Sequence, residues 1–131
     1  MTKTLLRRLK ADRRGAMLAE FMLVVPLWGL LIFGMFQMFL VLWGYAGLQN
    51  GVAEGARLAT LYPRKPNTEI TSRIYARSFG INPAYISAPV LTAGTSGAIH
   101  YVDISVNYTA HLPFWNVPLI TFRETRRAYR P

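Results

Sequence analysis

The chain has 131 residues, 52% of them hydrophobic, and a formal net charge of +9 from 15 Lys and Arg against 6 Asp and Glu. So short a chain leaves room for one small soluble domain with a modest core. It has no cysteine, so it folds without disulfides and offers no thiolate to a metal. The excess of positive charge is divided between the first residues and the last ones. It therefore does not form the single basic face that nucleic-acid binding needs, and no nucleic-acid partner is expected.

The opening segment is basic. Lys3, Arg7, Arg8, Lys10, Arg13 and Arg14 are opposed only by Asp12. From Phe21 to Ala53 there is then no Asp, Glu, Lys or Arg. A membrane-spanning helix needs roughly 20 apolar residues at about 1.5 Å rise each, and Phe21 to Leu42 satisfies that with Gln37 as its one strongly polar interruption. The leader cations place the amino terminus in the cytoplasm by the positive-inside rule and send the remainder across the inner membrane to the periplasm.

The junction between leader and span reads Arg13-Arg14-Gly15-Ala16-Met17-Leu18-Ala19-Glu20-Phe21. A carboxylate at the mouth of an apolar segment is costly and calls for a function. Gly15 leaves the backbone open to close approach. A cut after it would make Ala16 the new amino terminus and Glu20 the fifth residue of the mature chain, followed by aromatic Phe21. The new ammonium and the Glu20 carboxylate of a neighbouring subunit can then satisfy each other, where losing one partner of such a buried pair costs about 3–5 kcal/mol. Two other readings compete. One is a secretory signal cut after Ala46, against which stands an apolar run about twice the usual length of a signal core. The other is an uncleaved signal anchor whose exported domain binds a protein partner.

The helix is expected to continue beyond the bilayer, because Leu48, Val52, Ala56 and Ala59/Thr60 recur at helical spacing. Glu54 and Arg57, one turn apart, can pair for a few tenths of a kcal/mol. Gly47, Gly51 and Gly55 form a four-residue series that permits close backbone approach on one face, and Gln37 can hydrogen-bond at a packed helix interface. These four residues are the candidate helix-contact set. Tyr62-Pro63-Arg64-Lys65-Pro66 ends the rod, predicted over Ala16 to Leu61 with Pro26 as the position of any kink.

Taken together, Gly15-Ala16-Met17-Leu18-Ala19-Glu20-Phe21, Val24-Val25-Pro26-Leu27 and Leu48-Gln49-Asn50-Gly51-Val52-Ala53-Glu54-Gly55-Ala56-Arg57 resemble the TadE/TadF-like pseudopilins of tight-adherence (Tad/Flp) pili. The resemblance covers about residues 13 to 62, and the short exported part is closer to TadE. It implies cleavage by a prepilin peptidase, with Gly15, Ala16, Glu20 and Phe21 as the processing signal. It also implies a minor pilin-like role in pilus biogenesis and adherence, with other pilin-like subunits and the Tad assembly platform as partners. Phe21 stands where tyrosine is common in this system, and Gly51 and Gly55 stand where alanine is expected.

Further along, Asn67 is expected to cap a second helix carrying Ile70, Ile74, Tyr75 and Phe79 on its apolar stripe, stopped by Gly80 and Pro83. Tyr85 to Thr92 reads as an edge strand interrupted by Pro89, and Gly94-Thr95-Ser96-Gly97 as a turn. Val102, Ile104, Val106 and Tyr108 alternate with Asp103, Ser105 and Asn107 in a half-buried strand. Leu112 to Pro118 is a loop containing Phe114-Trp115, and Leu119 to Ala128 a final strand whose Arg123, Arg126 and Arg127, with Arg130 beyond, suit a solvated edge that resists aggregation.

Catalytic chemistry finds little support. His100 and His111 lie eleven positions apart without a cysteine between them, a poor zinc pattern. His100, Asp103 and Ser105 do not share strand parity as a triad would require. No phosphate-cradling glycine motif is present. The expected fold class is α+β: a long N-terminal transmembrane helix, a short helix and a small antiparallel sheet. The expected divisions are a leader over 1–15, the helix and its extension over 16–62, and a periplasmic domain over 63–131. The expected function is structural and non-enzymatic, with no cofactor, no metal and no small-molecule substrate.

Overall fold

A computed structural model describes residues 13–112 and 116–130, with the side chains of residues 13, 14 and 16 outside that description. The Pro113-Phe114-Trp115 segment, the leader cations Lys3, Arg7, Arg8 and Lys10, and the side chains of Arg13 and Arg14 likewise lie outside it. The element order is α1 (Arg13–Ala59), α2 (Asn67–Arg77), a short 3-10 turn (Pro83–Tyr85), β1 (Val90–Ser96), β2 (Ile99–His111) and β3 (Pro118–Arg130). The layout is α+β, with a three-stranded antiparallel sheet in the order β1-β2-β3.

α1 is a single 47-residue helix that takes Pro26 into its interior. Its stretch Met17–Ala59 is long and apolar enough to cross a membrane. Chain contacts separate two compact units, one ending at Phe36 and one beginning at Gln37. The second unit takes in the last part of α1 together with everything after it. The continuing heptad-like spacing at Leu48, Val52 and Ala59 explains why: these side chains are 0–1% exposed and belong to the core of that unit rather than to a separate rod.

That core is one layer of helix on one face of the sheet. Val41, Leu48, Val52, Leu58 and Ala59 come from α1, Ile70 and Ile74 from α2, and Val102, Ile104, Val106, Tyr108 and Ala110 from β2, with Ala128 from β3. The strict alternation read in β2 is therefore its burial pattern. Of the α2 stripe, Ile70 and Ile74 are buried, while Tyr75 and Phe79 remain exposed and Phe79 instead packs its ring against Trp43 at 5.1 Å between centroids.

Three local expectations are corrected. Asn67 does not cap α2: Pro66 occupies the cap position and no side chain caps the helix. The Asn67 Oδ1 instead accepts from Arg130 Nη2 at 3.2 Å, a long-range demand that outcompetes a cap. The first strand begins at Val90, after Pro89 rather than through it; the residues before it form the 3-10 turn, capped by Asn82 Oδ1 accepting from the Ala84 amide at 3.0 Å. The turn after β1 is tighter than Gly94–Gly97. Ser96 and Ile99 already pair, leaving Gly97-Ala98, with Gly97 at φ 62°, a positive value that favours glycine.

Gly94 serves the sheet in another way. It pairs with Tyr101 across the strands, and a Cβ there would meet the Tyr101 ring at about 2.5 Å. The ring lies over the glycine and carries the Arg127 guanidinium 4.0 Å above its centroid. Arg127 Nε and Nη2 donate to Asp103 Oδ1 and Oδ2 at 2.7 and 2.9 Å, a bidentate pair between registered partners. The outer face is further tied by Ser105–Thr125 and Thr109–Thr121 hydroxyl contacts at 3.1 and 3.0 Å.

The Arg127 guanidinium holds the Asp103 carboxyl below its ordinary range, chiefly by hydrogen bonding. A carboxyl lowered in the folded state stabilises the fold above its unfolded pKa, about 3.9, and loses that contribution as pH falls through the folded value. Asp103→Asn should therefore lower the thermal midpoint at neutral pH, and the gap to the parent chain should close on acidification below about pH 4. A gap independent of pH would separate the pair's geometry from its charge.

Candidate functional site

Two groups of residues carry the candidate site, and each lies in its own compact unit. The processing group, Gly15, Ala16, Glu20 and Phe21, sits near the start of α1. Gly15 is exposed and has open space where a side chain would project. Glu20 and Phe21 are also exposed, and Glu20 forms no ion pair among the described residues. A lone carboxylate on an otherwise apolar, exposed helix is unsatisfied unless headgroups, water or another subunit supplies the cation.

The helix-contact group lies in the second unit and is brought to one face. Gly47, Gly51 and Gly55 are all buried. A Cβ on Gly47 would run into the backbone of Phe79. One on Gly51 would strike Ser78 Oγ and stand 2.7 Å from the Ile74 carbonyl oxygen, and one on Gly55 would press into the Ile74 side chain. The occupant of the glycine face is thus the chain's own α2 and the turn after it. The polar atoms at this approach are matched: Asn50 Nδ2 donates to the Arg77 carbonyl at 2.8 Å, and Ser78 N and Oγ donate to the Ile74 carbonyl at 3.0 and 2.8 Å. These bonds satisfy carbonyls that the end of α2 would otherwise leave open.

The ladder has a fourth rung that sequence reasoning missed. Gly44 is buried, and a Cβ there would come 2.7 Å from the Gly80 carbonyl oxygen. Its position three residues before Gly47 continues the same helical face, which is the signal that could have found it. Gly80, at φ 66°, fits beneath the Trp43 indole. Gln37 does not join this face. It is 4% exposed, and its Oε1 has no hydrogen-bond partner among the described residues, a state that costs roughly 1–3 kcal/mol for a buried polar group. Glu54 and Arg57 pair at 3.2 Å on the exposed side of the helix.

Of the four carboxyl-terminal arginines, Arg123 is exposed and the other three are employed differently from one another. Arg127 pairs with Asp103, Arg126 Nε lies 3.4 Å from Glu124 Oε1, and Arg130 is buried against Asn67. Burial, with Arg64 nearby, pushes the Arg130 guanidinium below its ordinary value. His100 lies opposite Arg130 and Thr95 in the sheet, whereas Asp103 lies opposite Arg127. His111 stacks on Tyr85 with centroids 3.7 Å apart. The described residues contain no group of three or more His, Cys, Asp or Glu arranged to hold a metal.

Residues 15–57 match the family model of TadE-like proteins. The matched segment opens at Gly15 and closes at Arg57, so it takes in Glu20, the apolar run and the whole glycine ladder. Together with a helix able to cross a membrane, the match fits a membrane protein associated with Tad pili. No curated protein and no solved structure matches the chain.

The glycine ladder yields a prediction whose sign is decisive. An unconstrained glycine in a helix gains about 1 kcal/mol on replacement by alanine. Gly51→Ala should instead destabilise the second unit by about 1–3 kcal/mol, because the methyl group must displace α2. Chemical denaturation of Gly51→Ala beside Gly34→Ala, where a Cβ meets nothing within 4 Å, reads the difference. A stabilised Gly51→Ala would mean that α2 does not need this approach.

Proposed function

We propose that this chain is a minor pilin-like subunit of the TadE type, cut by a prepilin peptidase between Gly15 and Ala16 and acting structurally in Tad/Flp pilus biogenesis and adherence. The observation that carries this reading is the family match that begins at Gly15, at the point where the leader cations end and the apolar helix begins. Glu20, exposed and without an ion-pair partner among the described residues, supports a role in recognising the ammonium of a neighbouring subunit. The leader cations support a cytoplasmic amino terminus and a periplasmic domain. The role proposed is structural rather than enzymatic.

Cleavage after Ala46 as a secretory signal is disfavoured by the packing. It would sever α1 inside the core and strip Val41, Gly44 and Tyr45 from the second unit, including the Tyr45 stack on Phe122 at 4.5 Å.

Two outcomes test the proposal. Gly15→Val should leave the precursor uncut, read as the intact mass of the membrane protein with and without the peptidase. Normal maturation to an Ala16 terminus in that variant would overturn the assigned site, and an uncut parent chain would favour the anchored envelope protein. Glu20→Gln keeps the side chain's shape and removes its charge. It should still insert, yet lose co-purification with pilin-like partners, since an uncompensated ammonium carries a penalty of about 3–5 kcal/mol. Unchanged co-purification and pilus formation would remove the assembly role of Glu20.

A further inference from the structure

We propose that the end of the sheet beside Gln37–Tyr45 is itself sunk into the bilayer surface, so that lipid contacts both α1 and the start of β3 at Val117, Leu119 and Ile120. The inference rests on the reading that α1 crosses the membrane. It adds a second, independent membrane-contacting element within the folded domain.

Register inside the second unit sets the level of each element along α1. The Tyr45 ring stacks on Phe122 of β3. Nearer the amino end of the helix, Leu40, Val41 and Trp43 line a cleft of about 350 Å³ with Tyr85, Tyr108, His111 and Asn116. The β2–β3 tip therefore lies at the level of Leu40–Trp43. The tip is closed by the Leu112 amide donating to the Val117 carbonyl at 2.9 Å and the Asn116 amide to the Leu112 carbonyl at 2.8 Å. Ile120 pairs with Ala110 just above it.

Among the described residues, the surface at this level carries no charge and exposes several large apolar side chains. Val117, Leu119 and Ile120 are each 50% exposed, and Met38, Phe39, Leu42 and Trp43 of α1 are 50–56% exposed. The described residues of the sheet at this end, from Tyr108 to Leu112 and from Asn116 to Phe122, include no Asp, Glu, Lys or Arg. Charge resumes on β3 only at Arg123, directly after the Phe122 that marks the Tyr45 level. On α1 it resumes only at Glu54. From Gln37 to Tyr45 the helix rises roughly 12 Å. The headgroup zone on one side of a bilayer is roughly 5–8 Å deep. A charge-free layer of about 12 Å therefore fills that zone and reaches the hydrocarbon boundary, the depth at which surface-bound apolar faces rest.

Several polar groups of the sheet at this level are paired with one another, as an apolar setting favours, whereas Gln37 Oε1 on α1 is left without a partner among the described residues. Tyr85 Oη donates to Asn116 Oδ1 at 2.6 Å, His111 Nδ1 lies 3.0 Å from the Thr109 carbonyl oxygen, and the Thr109 and Thr121 hydroxyls meet at 3.0 Å. Arg123 stands on the exposed face at the upper margin, where a lipid phosphate offers it a partner. Lipid is favoured over a second protein because the apolar layer is continuous, without a charged rim, with the uncharged run that begins at Phe21.

The cysteine-free chain allows a direct test. Leu119→Cys, Ser96→Cys and Leu30→Cys, each as the only thiol in the full chain, are labelled with bimane and placed in phosphatidylethanolamine–phosphatidylglycerol vesicles. Quenching by a lipid nitroxide held just below the headgroups is then compared with quenching by aqueous iodide. Leu119 should lose most of its emission to the nitroxide, and Ser96, at the opposite hairpin, should lose emission only to iodide. Leu30 quenched by lipid nitroxide with Leu119 quenched only by iodide would overturn the proposal and leave the spanning helix intact. Leu119 shielded from both quenchers would place a protein there instead of lipid and also overturn it. Leu30 open to iodide would remove the spanning reading, and the proposal with it.

Discussion

The second unit depends on how closely α2 approaches α1. Four glycines on one face of α1 allow the backbone from Ile74 to Gly80 to lie where side chains would normally stand. That approach buries Ile70 and Ile74 against Leu48 and Val52 and brings the last carbonyls of α2 within reach of Asn50 and Ser78. Each glycine lowers the intrinsic stability of the helix by about 1 kcal/mol, and the loss is offset by burial of large aliphatic side chains, at about 1.5–3 kcal/mol each. The glycines are therefore a requirement of this fold's own packing, whatever else α1 meets when assembled.

α1 has to satisfy two solvents. Its first part has apolar side chains that are almost all exposed, suited to hydrocarbon. Its last part hides Leu48 and Val52 completely and displays Glu54 and Arg57. One helix can do both because helical backbone bonds are satisfied within the segment in either medium, so only the side-chain surface has to change. Gln37 stands where the second unit begins. Its buried, unpartnered Oε1 is a local cost at the position where the apolar surface starts to acquire a sheet beside it.

The sheet is held by a different logic on each face. Inward, β2 supplies five successive alternate residues to the core. Outward, the stability comes from registered pairs, above all the stack of Arg127 on Tyr101 on Gly94 with Asp103 as counter-ion. The run read as a solvated edge lies on the edge strand β3, with Arg123, Arg126 and Arg127 exposed. From that surface it also supplies an ion pair with Asp103 and a weaker pair with Glu124, while Arg130 alone is buried, against Asn67.

Much was legible without coordinates, where periodicity or composition speaks locally. The uncharged run, the helix continuing past it and the alternation of Val102 to Tyr108 all depend on neighbours in the chain, and the family match at residues 15–57 agrees with the motifs read there. Tertiary structure alone decided what fills each surface. The glycine series announced a close contact, but only folding shows that α2 fills it, because spacing specifies a face and not its occupant. Asn67 has the chemistry of a cap, yet Arg130, 63 residues away, claims its oxygen. Pro89 precedes the first strand instead of interrupting it because the pairing partner, Ser105 opposite Val90, is set by the β2 register. Sequence by itself determined where this chain is apolar, helical or extended, since those are short-range properties of side chains and backbone. Which of those surfaces meet, and which are left for lipid or another subunit, was decided by contacts between residues that lie far apart in the chain.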